Sequence, residues 1–237
     1  MVPKWIENFW RGVISPLVNW SIKNRVDPNF FTTLGFVLTI FGAVHLACGF
    51  IFWGGFWILM AGTCDMIDGK IARETGQVTK FGALYDSVLD RYSEFVMFVG
   101  IGAYYYVKGV PDYSANPEVK ECLIAAESFL RLNAGVLTKI PLTLIATVLA
   151  VGGSLMVSYT RARAEGLGLE CKVGWLQRPE RVLIIGFGCL LSVIWYDFDN
   201  EIYKVEYPLI IGIWLIAIFS NITAWQRLNH VKKNYKE

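Results

Sequence analysis

Charged side chains are scarce in this sequence of 237 residues: they make up 18% of it, whereas hydrophobic residues make up 54%. Soluble domains carry about 25% charged residues. The net charge is only +2 and no stretch is densely basic, so a nucleic-acid partner is not expected. The composition predicts a membrane protein whose apolar surface faces lipid.

The usual ligands of zinc and the usual pattern of disulfides are also missing. Five cysteines are scattered along the chain without a CxxC pair, and the histidines, His45 and His230, lie far apart. Zinc sites and disulfide frameworks depend on clustered or regularly spaced cysteines. Neither kind of site is expected in this protein.

Long apolar stretches are what the chain has instead. A membrane-spanning helix needs about 20 mainly apolar residues. Six stretches fit, at about 29–49, 53–73, 81–107, 138–161, 180–197 and 206–227. The sequence therefore predicts an all-α integral membrane protein with six transmembrane helices in one domain, 27–230, followed by a basic cytoplasmic tail, 231–237.

The first 26 residues show the pattern of an amphipathic helix. The apolar positions recur at helical spacing and are Trp5, Ile6, Phe9, Trp10, Val13, Ile14, Leu17 and Val18. The opposite face carries Lys4, Glu7, Asn8, Arg11 and Ser15. Tryptophan and basic residues are typical of helices lying in the membrane interface. We expect an interfacial helix over 1–26; a helix packed on a protein core is the alternative.

Lysine and arginine positions predict the orientation. One side of the six-helix arrangement would hold most of them, namely Lys4, Arg11, Lys23, Arg25, Lys70, Arg73, Lys80, Arg161, Arg163, Lys172, Arg178, Arg181, Arg227, Lys232, Lys233 and Lys236. The other side would hold only Lys108, Lys120, Arg131, Lys139 and Lys204. Because basic residues accumulate in cytoplasmic loops, both termini are expected in the cytoplasm.

The most informative segment, residues 64–91, reads CDMIDGKIARETGQVTKFGALYDSVLDR. Asp65 and Asp68 are three residues apart, and Asp86 and Asp90 are four apart, so each pair shares one helix face. A turn at 74–77 would make the two helices an antiparallel hairpin. The outer aspartates would then lie at equal depth, about 15–20 Å from its tip, and the carboxylates would converge on one small volume that is open to the cytoplasm.

Four carboxylates within a membrane protein need a cation, since unpaired they would each cost several kcal/mol. Oxygen ligands without histidine or cysteine indicate Mg²⁺, Mn²⁺ or Ca²⁺. A purely structural metal is one interpretation. The small residues Gly69, Ala72 and Gly82 beside the acids favour another, in which a ligand approaches the backbone, although helix packing would also explain them.

These residues resemble the signature of a known family. Asp65-x2-Asp68-Gly69-x2-Ala72-Arg73-x8-Gly82-x3-Asp86-x3-Asp90 is similar to that of the CDP-alcohol phosphotransferases, also called CDP-alcohol phosphatidyltransferases. Their reaction moves a phosphoalcohol group from a CDP-linked lipid to a small polar acceptor and releases CMP. The resemblance also implies a homodimer in the cell membrane.

The resemblance implies a role for each matching residue. Asp65, Asp68, Asp86 and Asp90 would bind one or two Mg²⁺ or Mn²⁺ ions, and Asp90 would also be the catalytic base. The cytidine diphosphate of the donor would lie against Asn29, Thr32, Gly69, Ala72, Arg73 and Gly82. For Asn29 and Thr32, ordinary capping at a helix start is an equal alternative.

A second cluster concerns the acceptor. Arg161 and Arg163 end the fourth stretch, and Arg178 and Arg181 begin the fifth. Basic residues facing lipid phosphates would explain them, but arginine also binds phosphate in a bidentate manner. Their surroundings, ARAEGLG and RPER, resemble the phosphatidylinositol phosphate synthases and archaetidylinositol phosphate synthases of this family. The resemblance implies that these four arginines bind the phosphate of the acceptor.

The sequence-based hypothesis is Mg²⁺-dependent transfer of a phosphatidyl group from CDP-diacylglycerol, or from CDP-archaeol, to a phosphorylated polyol such as inositol 1-phosphate. The same chemistry with glycerol 3-phosphate, serine or free inositol is an alternative. A divalent-cation transporter is a remote alternative, because the acids are confined to one hairpin near one face.

Overall fold

The computed structural model describes residues 4–109, 139–171, 173–196 and 206–234. All regular secondary structure in these ranges is helical, as predicted. The helices are α1 (Lys4–Lys23), α2 (Pro28–Ala47), α3 (Ile51–Thr75), α4 (Lys80–Gly109), α5 (Lys139–Gly166), α6 (Arg178–Tyr196) and α7 (Tyr207–Asn234). Each of the six predicted stretches falls on one of the helices α2 to α7. Lys120, Arg131, Lys172, Lys204 and Lys236, which contributed to the predicted orientation, lie outside the described residues.

Three of the described helices are long and apolar enough to cross a membrane. They are Pro28–Ala47 in α2, Leu142–Gly166 in α5 and Tyr207–Lys233 in α7. The aspartates lower the hydropathy of α3 and α4, which are 25 and 30 residues long. Many large apolar side chains on the outer faces of the helices are exposed, including Val37, Phe41, Val44, Ile145, Val148, Ile211 and Ile218. This surface fits lipid rather than water.

Local sequence signals fix the helix ends around the acidic segment. Asp27 caps α2, since its side chain accepts a hydrogen bond from the Asn29 amide at 2.8 Å. The left-handed Gly76, with φ of +70°, ends α3. Thr79 then accepts a hydrogen bond from the Gly82 amide at 2.9 Å at the start of α4. The predicted turn between the two acidic helices is confirmed.

Helix α2 is the element that positions both acidic helices. It packs extensively on α3 and on α4, whereas α3 and α4 are not among the closely packed pairs of described helices. Small residues allow the close contacts: a Cβ on Gly42 would lie 3.1 Å from the Gly54 carbonyl, and one on Gly100 only 2.5 Å from the Ala43 carbonyl. The two helices of the hairpin are therefore separated from each other, because each of them packs on α2.

The remaining helices complete the bundle. Helix α5 packs on α7 and α4, and α6 packs on α3 and α7. One apolar cluster joins these elements and includes Ile58, Met97, Phe98, Ile185, Ile213 and Ile216. Helix α7 continues to Asn234, so the predicted tail 231–237 begins as helix.

Helix α1 lies against the start of the bundle. Its Ile14 and Val18 are buried against Phe31, Ile67 and Ile71, and Leu17 and Trp20 remain exposed. The Lys70 ammonium group also donates to the Ser15 hydroxyl at 3.1 Å. Packing on protein, the alternative considered for this helix, is thus observed for one face. The side chains of residues 4–11, which include most of the predicted polar face, lie outside the description.

Candidate active site

A cavity of about 600 Å³ opens between the start of α2, the second half of α3 and the start of α4. Its lining includes every residue predicted to hold the donor, namely Asn29, Thr32, Gly69, Ala72, Arg73 and Gly82. Two of the predicted metal ligands, Asp68 and Asp86, line the same cavity. The open hairpin creates this space, because α3 and α4 are held apart by their contacts with α2.

The two glycines of the lining bring polar groups close to the backbone. A Cβ on Gly69 would lie 3.2 Å from Nη1 of Arg73, so the guanidinium group lies directly over this position. A Cβ on Gly82 would lie 3.0 Å from the Thr79 hydroxyl and 3.5 Å from Oδ1 of Asn29. A larger side chain at either position would push these polar groups away or fill the cavity.

Thr32 connects α2 to the acids. Its hydroxyl group donates to Oδ2 of Asp68 at 2.7 Å, and both side chains are buried. Capping at the helix start, the alternative considered for Asn29 and Thr32, is observed for the Asn29 amide, which donates to Asp27. The Thr32 side chain contacts Asp68 instead. Thr32 fixes the orientation of one carboxylate at the wall of the cavity.

Asp65 and Asp90 meet at a single nitrogen atom. Nη1 of Arg178 lies 2.5 Å from Oδ2 of Asp65 and 2.7 Å from Oδ1 of Asp90. This shared contact brings the two outer aspartates together, which agrees with their predicted equal distance from the tip of the hairpin. Arg91 adds a longer contact of 3.5 Å to Asp90.

The four aspartates form one electrostatic cluster. Asp65 and Asp86 lie within Coulomb range of each other, of Asp68 and of Asp90. Within the described ranges, no three acidic, histidine or cysteine side chains form a ready-made metal site. The carboxylate oxygens of the four aspartates still fit a hard divalent ion as ligands. In this structure the guanidinium group of Arg178 supplies positive charge to Asp65 and Asp90.

Arg181 occupies a different environment one turn further along α6. Its Nε and Nη2 face the carboxylate of Glu94, and Nη1 donates to the Leu176 carbonyl at 3.0 Å. Both charged side chains are buried. The guanidinium group of Arg181 is thus satisfied inside the protein, and its predicted contact with an acceptor stays a prediction.

Glu94 lies beside the site and was not among the residues predicted from the sequence. It continues the spacing of Asp86 and Asp90 along α4, each acid four residues after the last. That periodicity was the available signal. It places Glu94 on the same helix face, one turn deeper than Asp90, where Arg181 neutralises it.

The other predicted acceptor arginines are separate from the aspartates. Arg161 and Arg163 are exposed at the end of α5, and Nε of Arg161 contacts Glu165 at 2.8 Å. Arg227, near the end of α7, is buried and donates to the Val157 and Val173 carbonyls. Of the predicted arginines, only Arg178 lies at the carboxylates.

Comparison with known proteins places these features in context. A family model described as CDP-alcohol phosphatidyltransferase matches residues 25–219. The phosphatidylinositol phosphate synthase of Mycobacterium tuberculosis (strain H37Rv) is 31% identical over 222 residues, which cover 92% of this chain and 85% of that protein. The protein of that name from Mycobacteroides abscessus is 27% identical, over 93% of this chain and 84% of its own length.

Solved structures show the same similarity. The M. tuberculosis phosphatidylinositol phosphate synthase with CDP-DAG bound has a TM-score of 0.66 at 30% identity, with 92% of this chain and 93% of that chain covered. The same enzyme in complex with manganese and citrate has a TM-score of 0.68 at 29% identity, with 92% and 88% covered.

Proposed function

Because the chain belongs to the CDP-alcohol phosphatidyltransferase family and is therefore a CDP-alcohol phosphotransferase, we propose that it transfers the phosphatidyl group of CDP-diacylglycerol to a phosphorylated polyol. Inositol 1-phosphate is the favoured acceptor, CDP-archaeol is the alternative donor, and CMP is the second product. The observation that carries the proposal is the cavity at the open hairpin, which joins the donor-binding residues to two of the four aspartates.

The donor would enter this cavity with its diphosphate toward the acids. Arg73 supplies positive charge at the wall, and Gly69 leaves the space in which its guanidinium group lies. Asn29 lies beside Gly82 in the cavity wall, with its Oδ1 3.5 Å from where a Cβ of Gly82 would lie. The related M. tuberculosis enzyme binds CDP-DAG, which supports a CDP-linked lipid here.

Asp65, Asp68, Asp86 and Asp90 would hold one or two Mg²⁺ or Mn²⁺ ions. When bound, such ions supply charge neutralisation for phosphate oxygens during displacement at phosphorus. Asp90 would accept the proton of the acceptor hydroxyl group, which requires a carboxylate within hydrogen-bonding reach of that group. Thr32, through its bond to Asp68, would keep one ligand in place.

The phosphate of the acceptor would be bound by the arginines at the end of α5 and the start of α6. Arg178 reaches the carboxylates, and Arg161 and Arg163 lie on the exposed end of α5. Arg181 would contribute indirectly, by holding the start of α6 against α4 through Glu94. The phosphorylated acceptor thus remains a proposal supported mainly by Arg178.

For the membrane arrangement we propose six spans, formed by α2 to α7, in a multi-pass protein of the cell membrane. Both termini and the cavity would face the cytoplasm, with α1 in the interface and 27–230 as one catalytic domain. A homodimer is proposed from the family resemblance.

The direct test is release of CMP. Purified protein with CDP-diacylglycerol, Mg²⁺ and myo-inositol 1-phosphate should release CMP, whereas omission of either substrate should prevent it. Glycerol 3-phosphate, serine and free inositol form the comparison panel. Release with one of these and not with inositol 1-phosphate would correct the acceptor, and no release with any of them would contradict the proposed reaction.

A further inference from the structure

Arg178 neutralises the two aspartates at which catalysis is proposed. Its Nη1 bridges Asp65 and Asp90, so the two carboxylates share one cation. Its Nε is buried without a hydrogen-bond partner among the described residues. A buried donor without a partner is costly. The contact of Arg178 with the acids is therefore strong at one nitrogen atom and incomplete at another.

A divalent ion held by Asp65 and Asp90 would compete with Arg178 for the same two carboxylates, because Nη1 of Arg178 already contacts one oxygen of each. Two cations so close together would repel each other. A shift of the Arg178 side chain away from both aspartates would relieve that repulsion. Its unpartnered Nε shows that its present position does not satisfy all its donors.

We propose that Arg178 serves two sites in turn: it is the internal counter-ion of Asp65 and Asp90 without metal, and it becomes available to the acceptor phosphate when a divalent ion takes its place. The second half of the proposal rests on the proposed function. By thermodynamic linkage, metal binding then raises the affinity for a phosphorylated acceptor, and the acceptor raises the affinity for metal by the same factor. The consequence is a site that binds its acceptor tightly only after it holds metal.

Mn²⁺ binding to the full-length protein tests the first half. The measurement is the electron paramagnetic resonance signal of free Mn²⁺, titrated in detergent without donor or acceptor. Arg178→Gln removes the competing charge and should tighten Mn²⁺ binding by about tenfold, within the range usual for coupled sites. Arg91→Gln is the matched control, because Arg91 carries the same charge and contacts Asp90 alone at 3.5 Å; its effect should be clearly smaller.

A second variant guards against a folding defect. Arg178→Lys keeps the charge, yet an ammonium group is a compact point charge without the planar fork of arginine, so Mn²⁺ binding should tighten less than in Arg178→Gln. Unchanged or weaker Mn²⁺ binding in both variants, or an equal gain in Arg91→Gln, would overturn the exchange.

Acceptor binding tests the second half. Calorimetry with myo-inositol 1-phosphate should show tighter binding to the wild type with Mn²⁺ than without it, and Arg178→Gln should lose most of this difference. A difference that persists in Arg178→Gln would mean that phosphate contacts the ion directly, and would overturn the shared role. If Mn²⁺ binding tightens as expected but no variant binds this acceptor, the proposed acceptor fails and the exchange at the aspartates stands.

Discussion

Two arginines one turn apart on α6 show how differently the same side chain can be used. Arg178 contacts Asp65 and Asp90, its side chain is 20% exposed, and its Nε has no hydrogen-bond partner in the described structure. Arg181 is 1% exposed, and each of its three nitrogen atoms has a partner in Glu94 or Leu176. The position of Arg178 allows its side chain to change partners, whereas Arg181 keeps its partners inside the protein.

The difference follows from the partners on α4. Asp90 contacts Arg178, which also contacts Asp65, and it lies near the negative charges of Asp65 and Asp86. Binding of a cation or a phosphate at these aspartates would therefore change the electrostatic environment of Asp90. Glu94 has Arg181 in a buried pair, and separating such a pair would leave an uncompensated charge in the interior. Chemistry is expected at the first region and structural stability at the second.

The largest effect is expected from a change at the aspartates that Arg178 contacts. Asp90→Asn removes the proposed base and should lower the rate of CMP release by about 10²- to 10⁴-fold, the usual contribution of general base catalysis. Glu74→Gln is the control, because Glu74 is an acid of the same hairpin whose partner is Lys70 at 3.9 Å. Near-normal turnover in Asp90→Asn would remove Asp90 from the base role.

The next largest effect is expected from a change at the buried pair of Arg181 and Glu94. Glu94→Ala leaves Arg181 charged and buried, so the free energy of unfolding in detergent should fall by about 3–5 kcal/mol. The double variant Glu94→Met with Arg181→Met removes both charges and should recover much of the loss. If Glu94→Ala unfolds at the wild-type denaturant concentration, the pair does not hold α6 on α4.

A smaller effect separates the two arginines by kinetics. Arg178→Ala should raise the KM for the phosphorylated acceptor about 10- to 100-fold, since a charged hydrogen bond contributes about 1.5–3 kcal/mol. The KM for CDP-diacylglycerol should change less, and the protein should stay folded. An unchanged acceptor KM would favour an uncharged acceptor such as serine or free inositol.

The smallest effect concerns the donor side of the cavity. Gly82→Ala places a methyl group 3.0 Å from the Thr79 hydroxyl and should raise the donor KM about fivefold, or about 1 kcal/mol. Gly152→Ala is the matched control, because a Cβ there meets nothing within 4 Å. Equal donor KM values in both variants would place the nucleotide away from Gly82.

Much of the site could be predicted because its spacing is local. The intervals between Asp65, Asp68, Asp86 and Asp90 follow the helical repeat, and Gly76 marks the turn between them. The small residues around them predicted space, and the structure has a cavity there. The partner of each charge was not predictable in this way, since Arg178 lies 113 residues from Asp65.

The sequence by itself determined the helices and the spacing of the four aspartates, because both depend on helical periodicity, and the family resemblance indicated the residues that line the cavity. Only the tertiary structure decided that α2 holds α3 and α4 apart, and that Arg178 faces the aspartates while Arg181 is buried with Glu94. These outcomes depend on how distant helices pack, and the two arginines of the stretch Arg-Pro-Glu-Arg look alike in the sequence until their neighbours in the fold are known.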